Sequence, residues 1–250
     1  VVWVFFLFNQ RNRPEDLGLE PLAEDAADAA VAAGVAAGKG GAWNAGFEWL
    51  TRPVITNMLL VGAFYFFVKF IRYALWSWAP YFLDLNFGLD GDDAGYLSTV
   101  FDLTGIAGVI AAGFLSDKLF KSRRALVSLI FMAGMAVACV VLWQIGATSP
   151  VTFAIILGVV GFCLYGPDAL MTGAGAMDIG SRRGATLVAG VINGMGSIGS
   201  VVQELAIGKM YDDSDGDLGP IFGMLMGAAI AATAIMGLVV LRNRMGKSDV

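Results

Sequence analysis

The hydrophobic pattern of this 250-residue chain runs in long blocks separated by short polar breaks. A brief apolar run from Val1 to Phe8 leads into a polar stretch, Asn9 to Arg52. Six long apolar segments follow, at 54–83, 94–116, 125–146, 151–178, 184–210 and 219–241. Each reaches or exceeds the roughly 20 residues a helix needs to cross a hydrocarbon core about 30 Å thick. Strand-type alternation is absent, which argues against a β-barrel. The pattern predicts an all-α membrane protein with a six-helix bundle over 54–241.

The flanking pieces read differently. Eight helical residues rise only about 12 Å, so residues 1–8 are too short to span alone, and no basic stretch precedes them as in a signal peptide. They read as the end of a helix that begins upstream, which makes the chain part of a longer polypeptide. Residues 9–53 read as a loop. Its Ala- and Gly-rich middle, 26–41, has linker composition, and a short amphipathic helix is expected near Phe47–Leu50. Residues 242–250 read as a tail.

Composition agrees with the membrane reading: 57% of residues are hydrophobic and 15% charged. The net charge of −5 says less than where the charges fall. Arg11, Arg13, Lys39 and Arg52 lie before the first span. Lys118, Lys121, Arg123 and Arg124 lie between the second and third, Arg182 and Arg183 between the fourth and fifth, and Arg242, Arg244 and Lys247 after the sixth. These are thirteen of the sixteen cations. The opposite loops hold Lys209 and many acids, among them Asp84, Asp90, Asp92, Asp93, Asp212, Asp213, Asp215 and Asp217. The positive-inside rule assigns the first set, and the C-terminus, to the cytoplasm. A multi-pass protein of the cytoplasmic (inner) membrane is expected, with the lipid bilayer as a partner.

Several chemistries drop out. No histidine is present, which removes HExxH zinc sites, Ser-His-Asp triads and histidine proton relays. Cys139 and Cys163 sit inside apolar runs without metal or disulfide spacing. No basic surface suits nucleic acid, and no nucleophile with a base or paired carboxylates suggests an enzyme. No metal or cofactor is expected. Gly194, Gly196 and Gly199 spell GxGxxG, but no strand precedes them, so they read as close-packing or bending positions in a span. Gly190 with Gly194, and Gly219, Gly223 and Gly227, make GxxxG steps suited to helix contact in lipid.

Two constellations carry candidate function. The first is Gly113, Asp117, Lys118, Arg123 and Arg124, in the pattern G-x-x-x-D-K-x-x-x-x-R-R on the cytoplasmic side. A small Gly113 lets helices approach. Asp117 can accept from a helix N-terminus or a basic side chain, and Arg123 and Arg124 are expected at lipid headgroups. A plain positive-inside loop is the bland alternative to a latch that forms and breaks during transport. The second is Lys69, Arg72, Tyr73 and Trp76 in the first full span. A cation at mid-membrane costs roughly 2.5–3.5 kcal/mol on insertion scales, so it needs a partner or an aqueous cavity. The i, i+3, i+7 spacing puts Lys69, Arg72 and Trp76 on one face. A guanidinium binds phosphate oxygens in a bidentate way; a buried structural salt bridge is the alternative.

The loop pattern resembles that of the major facilitator superfamily. Arg72-Tyr73 with Trp78 and Pro80 is similar to the seventh helix of the glycerol-3-phosphate and hexose-phosphate antiporters, whose substrate-binding arginine falls at Arg72. The run Arg13-Pro14-Glu15-Asp16-Leu17-Gly18-Leu19 resembles the segment after their sixth helix, Tyr165-Gly166-Pro167 their tenth, and Asn193-Gly194-x-Gly196-Ser197-x-Gly199 their eleventh. The resemblance implies the C-terminal half of a twelve-helix organophosphate:phosphate antiporter. It would carry an anionic small molecule, an organic phosphate, in exchange for inorganic phosphate, at a site shared with the N-terminal half of the same polypeptide.

The intramembrane polar residues divide as follows. Asp102 pairs with Lys69 or Arg72, or accepts a substrate hydroxyl. Asp168 departs from the glycerol-phosphate pattern and removes positive charge from the cavity. Tyr165 and Asn193 are cavity candidates, Gln203 a polar helix contact and Glu204 structural. Two rival readings stay open: a proton-coupled symporter using Asp102, Asp168 or Glu204, and a sugar-phosphate receptor that does not transport.

Overall fold

A computed structural model describes Gly18, residues 49–213 and residues 219–246, the side chains of Arg182 and Arg183 excepted. The expected helix end at 1–8, most of the 9–53 loop including Phe47, and residues 247–250 lie outside this set. Pro53 stands in the first turn of α1, Arg52–Phe87, where its missing N–H removes no helical bond. Gly88 ends α1 at φ 62° and donates its N–H to the Asp84 carbonyl at 2.7 Å, a left-handed cap that glycine adopts without strain. The Asp90 side chain caps α2, Gly91–Ser98, and α3 follows at Val100–Phe114. One π-helical turn, Leu115–Leu119, extends α3, and Lys121 and Ser122 turn the chain at φ 52° and 62°.

Helix α4 runs Arg124–Ile145 and α5 Pro150–Thr172. Ser149 caps α5 by accepting from Thr152 N–H at 3.1 Å, with Pro150 in the first turn. Helix α6, Ala174–Asp213, is broken at Ser181 (φ 52°, ψ −169°), and α7 is Gly219–Arg244. Among the described residues, six stretches are long and apolar enough to cross a membrane: Arg52–Phe87, Gly91–Leu119, Arg124–Thr148, Pro150–Ser181, Gly184–Asp213 and Gly219–Arg244. They coincide with the six expected spans, and Ser181 marks the break between the fourth and fifth.

Helix α1 packs along α6 and α7, α3 along α5, and α4 against α5 and α7. Lipid tails are as apolar as leucine, so tight fit rather than water exclusion holds such helices together. Helices α3 and α5 cross closely. A Cβ on Gly108 would stand 2.1 Å from the Phe162 carbonyl oxygen, and one on Gly161 would stand 2.3 Å from that of Phe101. Thr104 Oγ1 donates to the Gly158 carbonyl at 2.7 Å across the same seam. Phe101, Leu157 and Leu164 are fully buried. Cys139 on α4 and Cys163 on α5 are free thiols.

The expected GxxxG contacts need correction. Among the described residues, a Cβ on Gly190, Gly194, Gly223 or Gly227 would meet nothing within 4 Å. These glycines face away from the neighbouring helices of this bundle. Gly196 and Gly199 do fulfil the close-packing reading: their faces press on Tyr65 and on the Phe66 carbonyl of α1. Gly161→Ala should therefore lower the stability of the purified full-length protein by about 1–3 kcal/mol, while Gly223→Ala should not. Thermal unfolding followed by tryptophan fluorescence checks both.

Candidate functional site

Arg72 lies in the interior of the long α1, and its side chain is 32% exposed. Its Nη1 donates to Oδ2 of Asp168 on α5, whose side chain is only 8% exposed. The guanidinium carbon also sits 4.2 Å from the centroid of the Tyr165 ring, a cation–π contact. Tyr165 lies on α5 one turn before Asp168, and its hydroxyl donates to Oδ1 of Asp102 on α3. One aromatic side chain thus holds a guanidinium on its face and a carboxylate at its hydroxyl. Space for that ring comes from Gly105, where a Cβ would stand 2.7 Å from two ring carbons. Phe101 fixes the ring edge-on at 5.4 Å.

Arg72, Tyr73, Trp76, Asp102 and Tyr165 line one cavity of about 220 Å³. Trp76 is 59% exposed and stands edge-on to Tyr73 at 6.2 Å. The cavity has a cationic end at Arg72, an anionic group at Asp102 and aromatic walls. That combination can hold a small anion bearing hydroxyl groups.

Lys69 behaves differently from its neighbour Arg72. The residue as a whole is buried, and its ammonium donates to Asn193 Oδ1 at 2.6 Å and Ser197 Oγ at 3.2 Å, both on α6. The rings of Tyr65 and Tyr73 lie 5.3 and 6.0 Å away. Neither of the two ion pairs among the described residues involves Lys69.

Five of the eight expected substrate residues therefore share the cavity, Asp168 stands against Arg72, and Lys69 and Asn193 bond each other. The expected common face of Lys69, Arg72 and Trp76 is split: Lys69 turns to α6, while Arg72 and Trp76 line the cavity. Of the partners considered for Asp102, neither cation is paired with it; Tyr165 is. Tyr65, Phe101 and Gly105 complete the surroundings without a motif to mark them, and Ser197, already part of the run from Asn193 to Gly199, joins Asn193 on Lys69. The i, i+4 spacings of Tyr65 to Lys69 and Asn193 to Ser197, and of Phe101 to Gly105, were the available signal. Glu204 accepts from Trp78 Nε1 at 3.1 Å, in keeping with a structural role. Gln203 is fully buried, and its amide makes no hydrogen bond with a described residue, so the expected polar helix contact is not made.

The loop constellation is only partly assembled. Among the described residues, a Cβ on Gly113 would meet nothing within 4 Å, so no described helix uses its small size. Asp117 and Arg123 are exposed, and Asp117 makes no hydrogen bond or ion pair with a described residue. Arg124 does not simply point to headgroups: its Nη1 donates to the Ala174 carbonyl at 2.7 Å and to the Asp178 carboxylate. It ties the start of α4 to the first turns of α6.

Six apolar helices with short loops and a polar cavity set among them define a multi-pass membrane protein. Residues 1–204 match the Major Facilitator Superfamily, and the chain belongs to that family. Its relatives include the "Glycerol-3-phosphate transporter" of Bacillus subtilis (strain 168), 34% identical over 69% of this chain and 38% of the relative. The "Membrane sensor protein UhpC" of Escherichia coli (strain K12) is 30% identical over 85% of this chain and 48% of the relative. "Putative glycerol-3-phosphate transporter 5" of Arabidopsis thaliana is 34% identical over 57% of this chain and 31% of the relative. The chain thus spans about half, or less, of the length of the curated relatives it matches.

The Arg124–Asp178 pair yields a prediction. Arg124→Gln and Asp178→Asn should each destabilise the full-length protein, and the double variant should lose less than the sum of the two. A coupling of about 0.5–3 kcal/mol is expected for groups in direct contact, read from a thermal-unfolding double-mutant cycle.

Proposed function

We propose that this chain is the C-terminal half of a carrier that exchanges an organic phosphate for inorganic phosphate across the cytoplasmic membrane, with its C-terminus in the cytoplasm. The observation that carries the reading is Arg72: a guanidinium in the interior of a membrane-spanning helix, lining a cavity and held by one carboxylate through a single nitrogen. A permanent structural salt bridge has no need of a cavity beside it. A planar fork with donors beyond Nη1 can take a phosphate in the bidentate geometry that lysine cannot offer. The similarity to proteins named as glycerol-3-phosphate transporters supports the same ligand class.

Asp102 supports a hydroxylated ester as the organic partner. A carboxylate beside the cavity repels a bare phosphate but accepts hydrogen bonds from hydroxyl groups, and Tyr165 holds it apart from Arg72. Phosphate would take the Arg72 end, and the hydroxyls of the ester would reach Asp102. Exchange follows from charge. Empty, the site keeps the Lys69 ammonium with no carboxylate partner among the described residues, a charge costly to close away from water, whereas a bound anion offsets it, so the loaded carrier reorients more readily than the empty one. Ligand drives that shift only as far as it favours the closed state.

Phosphate–phosphate exchange by the full-length protein in liposomes is the direct test. Arg72→Lys should lose most of that exchange, on the order of 10-fold or more, for want of bidentate contacts; normal exchange in this variant defeats the assignment. Asp102→Asn should raise the half-saturation concentration for a hydroxylated phosphate ester several-fold more than that for inorganic phosphate. The match to a membrane sensor protein favours one second reading, ligand sensing without flux, and phosphate binding with no measurable exchange would establish it instead.

A further inference from the structure

Lys69 does not line the cavity, yet the charge balance of the site turns on it. Arg72 is paired with Asp168, so that pair brings no net charge, and Asp102 adds a carboxylate at the cavity wall. Without Lys69 these groups leave an excess negative charge, which repels any anion; with its ammonium they balance. We infer that Lys69 is the specificity-determining residue for ligand charge: its ammonium, acting across the Tyr73 ring and not by contact, makes the cavity choose a doubly charged phosphate monoester over a singly charged diester. This deepens the function proposed above and rests on it.

The geometry puts the ammonium where it can act at a distance. Its nitrogen stands 6.0 Å from the centroid of the Tyr73 ring, and Tyr73 lines the cavity. One aromatic side chain thus lies next to both the charge and the ligand space. The groups around the ammonium hold its charge without cancelling it. Asn193 Oδ1 accepts from it at 2.6 Å and Ser197 Oγ at 3.2 Å, and the Tyr65 ring lies 5.3 Å away. Two accepting oxygens and two ring faces suit an ammonium, and an amide, a hydroxyl and aromatic rings bring no formal charge to offset it. Asp168 is within Coulombic reach of Lys69, but its carboxylate is engaged by Arg72. The field of Lys69 therefore falls on whatever anion enters. Attraction between full charges grows with the charge of the ligand, whereas the donors of Arg72 meet the oxygens of a monoester and a diester alike. A phosphate monoester loses its second proton near about pH 6 and carries close to two charges at about pH 8; a diester carries one.

Methyl phosphate and dimethyl phosphate differ by a methyl group and a charge. The experiment measures the affinity of the purified full-length protein for each at about pH 8, where the monoester is doubly ionised. The wild type should bind methyl phosphate the tighter. In Lys69→Gln, which keeps a hydrogen-bonding partner for Asn193 and Ser197, affinity should fall about 100-fold for methyl phosphate and about 10-fold for dimethyl phosphate, so the preference shrinks about 10-fold. Lys69→Arg, which keeps the charge, should hold the preference within about threefold. Both ligands are measured on one preparation, so their ratio is untouched by a loss of folded protein. An equal loss for the two ligands in Lys69→Gln makes Lys69 a tie between α1 and α6 and overturns the inference. A preference lost in Lys69→Arg as well, or absent from the wild type, overturns it too and leaves the proposed function standing. Binding of neither ligand by the wild type overturns that function and this inference with it.

Discussion

A positive charge inside the bilayer must be answered, and the centre of this bundle is arranged around that need. Arg72 is met by a carboxylate on one helix and an aromatic face on the same helix one turn away. Lys69, three residues earlier, is met by a side-chain amide and a hydroxyl from another. The two cations therefore join α1 to α5 and α6 by different chemistry. The first pairing balances charge; the second satisfies hydrogen bonds and leaves the charge standing. Glycines make these arrangements possible. Gly105 clears room for Tyr165, and Gly196 for Tyr65 and Lys69, so each polar contact is backed by a close helix approach.

Much of this was legible in the sequence because the membrane simplifies the code. A helix that crosses lipid must satisfy its own backbone, so length and apolar content alone mark the spans, and all six appear where expected. Charged residues inside them are rare enough that each is a candidate by default. That is why Arg72, Tyr73, Trp76, Asp102 and Tyr165, drawn from three helices, turn out to line one cavity.

What stayed hidden is the pairing. Spacing along α1 says that Lys69 and Arg72 share a side of the helix, but not that their long stems diverge to different neighbours. Nor does it say which of the two acids Arg72 meets, or that Lys69 is held by Asn193 and Ser197 instead. Asp168 and Asp102 are both at plausible depth, and the choice turns on Tyr165, whose hydroxyl engages Asp102 while its face takes the guanidinium. The glycine motifs mislead for a related reason. GxxxG spacing marks a smooth stripe, and the stripe serves only where a partner helix lies over it. Gly108 and Gly161 have one; Gly190 and Gly223 do not within this bundle.

The contacts of the loop motif follow the same logic. Arg124 sits where a headgroup anchor is expected, yet the opening turns of α6, at the end of the fourth span, lie within reach of its guanidinium. It satisfies a backbone carbonyl, Ala174, and a carboxylate, Asp178, together. Asp117, in the same loop, is left exposed beside a π-helical turn and two left-handed residues. One half of the loop motif is thus spent on holding α4 to α6, and the other half is presented outward. A strained, exposed acidic turn next to a fixed basic anchor can make and break contacts without disturbing the bundle behind it. The exchange proposed above, in which a central site opens to one side at a time, calls for that separation between a rigid helix packing and a loop that can change partners.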